Sequence, residues 1–295
     1  MKNMKRFTAL LLILALALAL AGCGFMSAMA RASRKMEKLH SYRMDMAMEM
    51  DLRMTILGQS MDMDMLVASV SDVEVEPARS RSDIKLSMLG EEMNLLSFTE
   101  KTDAGVVSYN SVNGGETWGK KTLENAELSA SGDKQSFSNL LKLAEGFEKT
   151  GTETVRGSKA TVYAGVIGGD QLGMVLGMSD TFANVFSAMN MPVDEADFSS
   201  YGDVPVTIAI DDESHMVTRY TMDLTALMAA LMPAMLKAVL TEAAAESGLK
   251  GFDMNALGFS VETGRVFTSV ELYDFDQVGT IEIPAEALAA PEVAG

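Results

Sequence analysis

The sequence predicts an α+β fold built on a large antiparallel β-sheet, with helices covering its apolar face. Three observations carry this prediction. Long stretches within residues 41–123 alternate apolar and polar residues, which is typical of half-buried strands. Short turn signals separate these stretches, which favours hairpins over long crossovers. A few segments repeat apolar residues at helical spacing and interrupt the run of strands.

Residues 1–22 have the parts of a secretory signal peptide. Lys2, Lys5 and Arg6 precede an apolar run that ends at Leu20-Ala21-Gly22-Cys23. The run is shorter than the about 20 residues that a transmembrane helix needs. Its end resembles the lipobox of bacterial lipoproteins. The resemblance implies cleavage after Gly22, a diacylglycerol thioether on Cys23 and acylation of the new amino terminus.

The bulk composition limits the partners of the mature chain. Formal net charge is −17, and removal of the three signal-peptide cations lowers it to −20. So acidic a chain is unsuited to nucleic acid, which requires clustered Lys and Arg. Cys23 is the only cysteine, so a lipidated chain forms no disulfide and depends on core burial for its stability.

Residues 23–40 predict a lipidated tether and a short amphipathic helix, with Met29, Met36 and Leu39 on one face. The clearest strand pattern follows. Methionines alternate with polar residues from Met44 to Ile56, and again, in the opposite parity, from Met61 to Val67. This change of parity predicts a hairpin with one apolar face. A turn at Gly58-Gln59 would place Arg53 opposite Asp64.

Further strands are predicted at 79–89, 92–101, 104–112 and 115–123, with a two-residue turn at Asn113-Gly114. A hairpin around Gly157-Ser158 and strands at Val204–Ile210, Met216–Leu224, Phe259–Phe275 and Ile281–Pro284 follow. Helices are predicted at 134–148, 170–190 and 225–246. Residues 41–284 contain no long linker and predict one domain, and residues 285–295 predict a flexible tail rich in Ala, Pro and Glu.

These features resemble the lipoproteins of Gram-positive bacteria with a LolA-like fold, a group similar to the mycobacterial lipid-carrier lipoproteins. The resemblance follows the order of lipobox, short helix, Leu39-His40-Ser41-Tyr42, long hairpin, Val107-x-Tyr109, Trp118-x-Lys120 and a closing Ile281-Glu282-Ile283-Pro284. It implies a large curved antiparallel β-sheet, a half-barrel, whose concave apolar face holds lipid or acyl chains under the helices that cover it. It supplies no catalytic residue, and it favours the extracytoplasmic face of a Gram-positive plasma membrane.

The residues themselves predict no active site, no metal ligand set and no cofactor. Ser82-x-x-Lys85 and Ser131-x-x-Lys134 occur with Lys149-Thr150-Gly151, but no Ser-Asp-Asn lies between them as in penicillin-interacting enzymes. The chain has 25 methionines. Repeated Met-x-Met could hold Cu(I) through soft thioethers. The preferred interpretation of the same residues is an adaptable apolar surface, because no histidine or second cysteine joins them.

The expected function is therefore that of a membrane-anchored extracytoplasmic lipoprotein, not an enzyme, that binds or carries a lipid or other apolar ligand in a sheet–helix cleft. The predicted ligand contacts are Met46, Met48, Met50, Met63, Met65, Met178, Phe182, Phe186, Leu231 and Met235. Two alternatives stay open: an acidic envelope protein that docks to a protein partner, and a Met-rich Cu(I)-binding lipoprotein.

Overall fold

The computed structural model describes residues 24–123, 146–169, 171, 202–246 and 258–292. Within these ranges, eleven strands form one antiparallel sheet. Three helices are described with it. The predicted fold class, a large antiparallel sheet with helices on its apolar face, is confirmed. The signal peptide, Cys23 and the predicted helix at 170–190, apart from residue 171, lie outside the described residues.

The first half of the chain begins with helix α1 at residues 24–36 and continues as a six-stranded meander. The strands are β1 (Ser41–Ile56), β2 (Gln59–Glu74), β3 (Arg79–Met88), β4 (Glu91–Thr102), β5 (Gly105–Ser111) and β6 (Gly119–Leu123).

The second half is a five-stranded meander with two helices. Its elements are β7 (Glu148–Val155), β8 (Ser158–Ile167), β9 (Val204–Asp211), β10 (Val217–Asp223), α2 (Thr225–Glu246), β11 (Ser260–Tyr273) and α3 (Ala285–Leu288).

The two meanders meet through their outermost strands in sequence. The sheet order is β6-β5-β4-β3-β2-β1-β11-β10-β9-β8-β7, so β1 pairs with β11 at the centre. This pairing runs from Arg43 opposite Tyr273 to Thr55 opposite Ser260, with one irregularity between Met50 and Leu52. The long central strands therefore bring the start and the end of the domain together.

The first hairpin forms as predicted, but its turn is Leu57-Gly58 and not Gly58-Gln59. Both turn residues have positive φ, 54° at Leu57 and 75° at Gly58. Two-residue turns of this kind require positive φ at both positions and favour Gly at the second. Arg53 consequently faces Asp62, not Asp64. The apolar face is unchanged because the register moved by an even number of residues.

The turn predicted at Gly157-Ser158 is Arg156-Gly157 in the structure. Both turn residues again have positive φ, 47° at Arg156 and 87° at Gly157. The predicted Asn113-Gly114 turn is wrong for another reason. A wider loop joins β5 to β6. Asn113 Oδ1 accepts hydrogen bonds from Ser111 Oγ (2.8 Å) and from the backbone N–H of Thr117 (3.0 Å). The side chain thereby holds the wider loop together.

Two predicted boundaries are also corrected. Strand β7 begins at Glu148, where the helix predicted at 134–148 was expected to end; residues 124–145 lie outside the described residues. Ile281–Pro284 is not a strand but an extended segment across the sheet. Residues 285–288 of the predicted tail form α3, and Glu292 makes a bridge to Lys120 of β6.

The main hydrophobic core lies between the sheet and the helices α1 and α2. We call the side of the sheet that carries these helices the helix face, and the other side the outer face. A smaller cluster on the outer face is formed where the C-terminal segment packs over β4, β5 and the loop before β6. Its members are Phe98, Val107, Tyr109, Ile281 and Ala287, with Leu96, Trp118 and Ile283 beside them.

Candidate apolar binding face

The centre of the helix face is lined by thioethers. Strand alternation places one set of side chains of β1 and β2 on this face. Cross-strand pairs there include Met50 with Met65 and Met54 with Met61. We call this set the methionine stripe; its members are Met44, Met46, Met48, Met50, Met54, Met61, Met63 and Met65. The stripe runs along the two strands at the middle of the sheet.

Most of the stripe is only partly covered by the core. Met50 is buried, whereas Met44, Met46, Met48, Met63 and Met65 are half-buried and pack against the core cluster. Met61, nearest the turn, is 44% exposed. Such graded exposure leaves flexible apolar side chains at the rim of a packed core, which is suited to contacts with variable apolar groups.

The helix face of β1, β2 and β3 carries no Asp, Glu, Lys or Arg. Its side chains are methionines, aliphatic residues, Tyr42, Gln59 and serines. The charged residues of these strands alternate onto the outer face instead. A ligand on this part of the helix face would therefore meet apolar surface and hydroxyl groups, not fixed charge.

Helix α1 is held on this face by an aromatic stack. Phe25, 1% exposed, lies 4.7 Å from Phe147 and 4.9 Å from Tyr163 between ring centroids. The Phe147 ring in turn occupies the space above Gly165, where an added Cβ would lie 2.5 Å from it. At the other end of the helix, Lys35 Nζ donates to the Ser214 carbonyl oxygen at 2.5 Å.

Helix α2 starts from a fixed point above the centre of the sheet. The backbone N–H of Thr225 donates to Asp223 Oδ1 at 3.0 Å, and the Thr225 hydroxyl holds the pKa of Asp223 below its usual range. Thr225 Oγ1 accepts a 2.9 Å hydrogen bond from the Val266 N–H of β11. The helix then buries Leu227, Met228, Leu231 and Met232 against the sheet.

The structure brings together the predicted ligand contacts that it describes. Met46, Met48, Met50, Met63, Met65 and Leu231 all belong to or pack against the same core. The side chain of Met235 is not described, and Met178, Phe182 and Phe186 lie outside the described residues.

Sequence reasoning missed the aromatic stack and a row of hydroxyls on the helix face. Ser71 Oγ lies 2.8 Å from Ser82 Oγ, and Ser80 Oγ lies 2.5 Å from Thr99 Oγ1. Buried Thr268, opposite Met48, has a hydroxyl without a hydrogen-bond partner. The alternation of serines with charged residues in β3 was the available signal, because it places every second residue on the same face as the methionines.

The outer face is polar at the centre of the sheet. Arg156, from the β7–β8 turn, reaches Asp45 of β1 and donates from Nε to Glu271 Oε2 of β11 at 2.9 Å. Its guanidinium carbon lies 3.5 Å from the ring centroid of Tyr273. Burial, and a 2.7 Å hydrogen bond to Asp45 Oδ1, raise the pKa of Tyr273 to about 12. These contacts hold the β7–β8 turn to the central strands.

The described residues contain no group of three or more His, Cys, Asp or Glu side chains that could hold a metal ion. None of the helices in the described ranges is long and apolar enough to cross a membrane.

Comparison with known proteins defines the family. Residues 27–232 match the family of unknown function DUF6612, and the chain belongs to that family. No curated protein matches the sequence.

Solved structures similar to this chain include two mycobacterial proteins, one of which is a lipoprotein. LppX from Mycobacterium tuberculosis is 12% identical, with 88% of this chain and 98% of that chain covered and a TM-score of 0.42. LprF from Mycobacterium bovis is also 12% identical, with 89% and 96% covered and the same TM-score of 0.42.

A third similar structure is a putative outer membrane lipoprotein-sorting protein domain from Vibrio parahaemolyticus. It is 8% identical, with 88% of this chain and 95% of that chain covered and a TM-score of 0.20. At such identities and TM-scores, none of these likenesses identifies a ligand of this chain.

Proposed function

We propose that this protein is an extracytoplasmic lipoprotein, anchored through Cys23, that binds a lipid or similar apolar ligand between its sheet and its helices. The binding is non-covalent and involves no catalysis. The observation that carries the proposal is the methionine stripe, which is half-buried, flexible and placed on an uncharged part of the helix face.

The physical reasoning concerns the side chains that a lipid requires. An acyl chain gains from apolar burial at about 25 cal/mol per Å² and needs no directed hydrogen bonds. Methionines adapt their shape to such a chain at little cost, because three rotatable bonds carry a polarizable sulfur. The serine row beside the stripe adds polar groups to this face without charge, although Ser71 and Ser80 are buried and their hydroxyls pair with Ser82 and Thr99. Stripe and row together are suited to an amphiphilic molecule.

Native mass spectrometry of the domain starting at Gly24, purified from bacteria without detergent, tests this proposal. We expect a population heavier by the mass of a phospholipid or fatty acid. Met65→Glu should abolish that population, because it introduces a charge into the stripe. Ala68→Glu is the matched control, since Ala68 lies on the same strand but on the outer face, opposite Lys85 of β3. A single bare mass for the unaltered domain would contradict the proposal.

A second candidate function is Cu(I) binding, which the direct cross-strand pairs Met50–Met65 and Met54–Met61 favour. Thioether sulfurs are soft ligands that select Cu(I). Titration with Cu(I) in the presence of a competing chelator distinguishes the two functions. Retention of copper by a lipid-free domain, and its loss in Met50→Leu, would favour the metal over the lipid. If neither ligand binds, crosslinking to an envelope protein partner is the remaining test.

A further inference from the structure

Two turns at one end of the sheet expose leucines in a strained backbone conformation. Leu57 joins β1 to β2 and Leu89 joins β3 to β4, and each has a φ of 54°. Because β1 and β3 run in the same direction, both turns lie at the same end of the sheet. Leu57 is 71% exposed and Leu89 is 54% exposed. We call this end of the sheet the leucine end.

The described contacts of the fold do not explain why leucine occupies the first position of either turn. The first position of such a turn favours Asn, Asp or Gly, whose side chains tolerate positive φ. The comparable turn at the opposite end of the sheet has the polar residue Arg156 at this position, with a φ of 47°. A leucine there strains the backbone, and the two leucines still leave 71% and 54% of their surface exposed. An apolar partner beyond the described residues would account for both leucines.

The leucine end is continuous with the methionine stripe. Beside the turns, Met61, Met88 and Met93 are 44%, 43% and 49% exposed. Met88 of β3 pairs with Met65 of the stripe, so the exposed residues extend the same face. Near the turns, Arg53 Nε lies 2.6 Å from Asp62 Oδ1 and Lys85 Nζ lies 2.8 Å from Glu92 Oε1. Exposed Glu91, beside Met88, makes no ion pair among the described residues.

The position of α1 indicates which apolar partner faces this end. The helix already includes residue 24, and Phe25 is fixed in the aromatic stack, so a lipid on Cys23 would be one residue from the folded body. Ser41 lies at the end of β1 opposite the β1–β2 turn. Followed backwards from Ser41, α1 crosses the sheet towards its own N-terminus, and residues 24–36 give it a length of about 20 Å. Phe25 thereby reaches Phe147 and Gly165, and Gly165 pairs with Val206. The helix start points towards the leucine end but lies level with Met48, about 30 Å from Leu57 along β1, because Val206, Met222, Thr268 and Met48 form one cross-strand row.

We propose that the leucine end inserts its two turns into the surface of a lipid bilayer, so that the methionine stripe opens towards the membrane. This inference rests on the proposed lipidation of Cys23. The β1–β2 turn projects past the β3–β4 turn by residues 59–64, about 20 Å along the strand. Leu57 is accordingly the residue that reaches the bilayer first. The net charge of −17 favours a zwitterionic over an anionic surface.

Nitroxide quenching on vesicles tests the proposal with the mature acylated protein. Since acylation occupies the thiol of Cys23, an added cysteine is the only site for a fluorescent label. Leu57→Cys and Leu89→Cys are compared with Ala104→Cys, which lies in the exposed β4–β5 turn at the opposite end. In phosphatidylcholine vesicles with nitroxide on the acyl chains, we expect the label at 57 to lose most of its fluorescence. The label at 89 should lose less, and the label at 104 none.

A second variant tests whether the dye, rather than the leucines, inserts into the bilayer. A label on Met61→Cys reports on the leucine end while Leu57→Asn and Leu89→Asn replace the apolar turn residues. Asn accepts positive φ, so the fold should be unchanged or more stable while quenching is lost. Persistent quenching in this variant would overturn the role of the leucines.

The outcomes separate this inference from the proposed function. If the protein floats with vesicles but labels 57 and 89 stay as bright as label 104, the anchor is present and the docking is wrong. If Cys23 is unmodified and the protein does not float, the anchoring and the docking both fail. A photocrosslinker at position 57 that captures a protein in cells instead of lipid would also overturn the docking.

Discussion

Tyr273 joins three elements through a single side chain on the outer face. Its hydroxyl donates to Asp45 of β1, its ring carries the guanidinium of Arg156 from the β7–β8 turn, and its backbone belongs to β11. The hydroxyl must stay protonated for this arrangement, because an ionised phenol beside Asp45 would place two anions in contact.

This arrangement predicts a loss of stability at alkaline pH. The pKa of Tyr273 is raised from 10.0 to about 12, so the folded state binds the proton more tightly than the unfolded state. The contribution is complete below pH 10 and is lost as pH rises towards 12. We expect Tyr273→Phe to flatten the fall in unfolding free energy between these values in urea titrations. An unchanged slope would contradict the prediction.

At Gly165, the absence of a side chain matters more for packing than the conformational freedom of the backbone. An alanine Cβ would lie 2.5 Å from the Phe147 ring, which Phe25 holds from the other side. We expect Gly165→Ala to cost about 1–3 kcal/mol of unfolding free energy through overpacking. Gly151→Ala is the control, because nothing lies within 4 Å of its added Cβ. Equal denaturation midpoints for the two variants would show that the stack yields freely.

At the scale of elements, α1 is attached to the sheet through a row of buried side chains: Phe25, Met29, Ala32 and Met36. Replacement of Phe25 by alanine removes the stacking with Phe147 and Tyr163, and we expect a loss of about 3–5 kcal/mol. Its neighbour Met26 is 42% exposed, so Met26→Ala should stay near the stability of the unaltered protein. Thermal unfolding measured by circular dichroism compares the two. A larger effect for Met26 would mean that the helix packs by another face.

The C-terminal segment is a second attached element. Ile281 is 5% exposed in the cluster with Phe98 and Tyr109, and its N–H donates to Glu74 Oε2 at 3.2 Å. We expect Ile281→Ala to lower the unfolding free energy by about 2–5 kcal/mol. Exposed Glu282→Ala should have little effect. Urea unfolding of both variants decides whether this segment contributes to the stability of the domain.

The strands were predictable because their signal is local. Alternation over β1 and β2 depends only on which residues face the core, and the structure confirms both strands. The turns were less predictable. Leucine at positive φ contradicts ordinary turn preferences, so the residue types do not identify Leu57-Gly58 as the turn, and the predicted turn was Gly58-Gln59. In the structure, Gly58 is the second residue of its turn. The turns Leu89-Gly90 and Arg156-Gly157 have their glycine at the same position.

At the scale of the whole molecule, the central pairing of β1 with β11 was not predictable from the chain. The strands are separated by more than 200 residues, as in Arg43 opposite Tyr273, and no local pattern specifies such a partner. The candidate binding face was partly predictable, since the parity of the methionines follows from β1 and β2 alone. The aromatic stack joins residues 25, 147 and 163 and depends on the assembled sheet.

This topology predicts that the first meander does not fold alone. In a fragment of residues 24–123, β1 lacks its partner β11, and Leu52 and Met50 lose the cover of the second half, including Val266 and Leu231. We expect no cooperative unfolding transition for the fragment in urea, monitored by far-UV circular dichroism. A cooperative transition with a native-like spectrum would show two independent folding units.

The position of β11 at the centre of the sheet also makes folding depend on a complete chain. Synthesis produces β1 first among the strands and β11 last, so the middle of the sheet stays open until residue 273 has been made. A chain that stops early retains a bare row of backbone donors and acceptors on β1, which marks it for proteases and for aggregation. Only a chain that includes β11 joins the two meanders into one sheet. Truncated chains are therefore removed by proteolysis or aggregation.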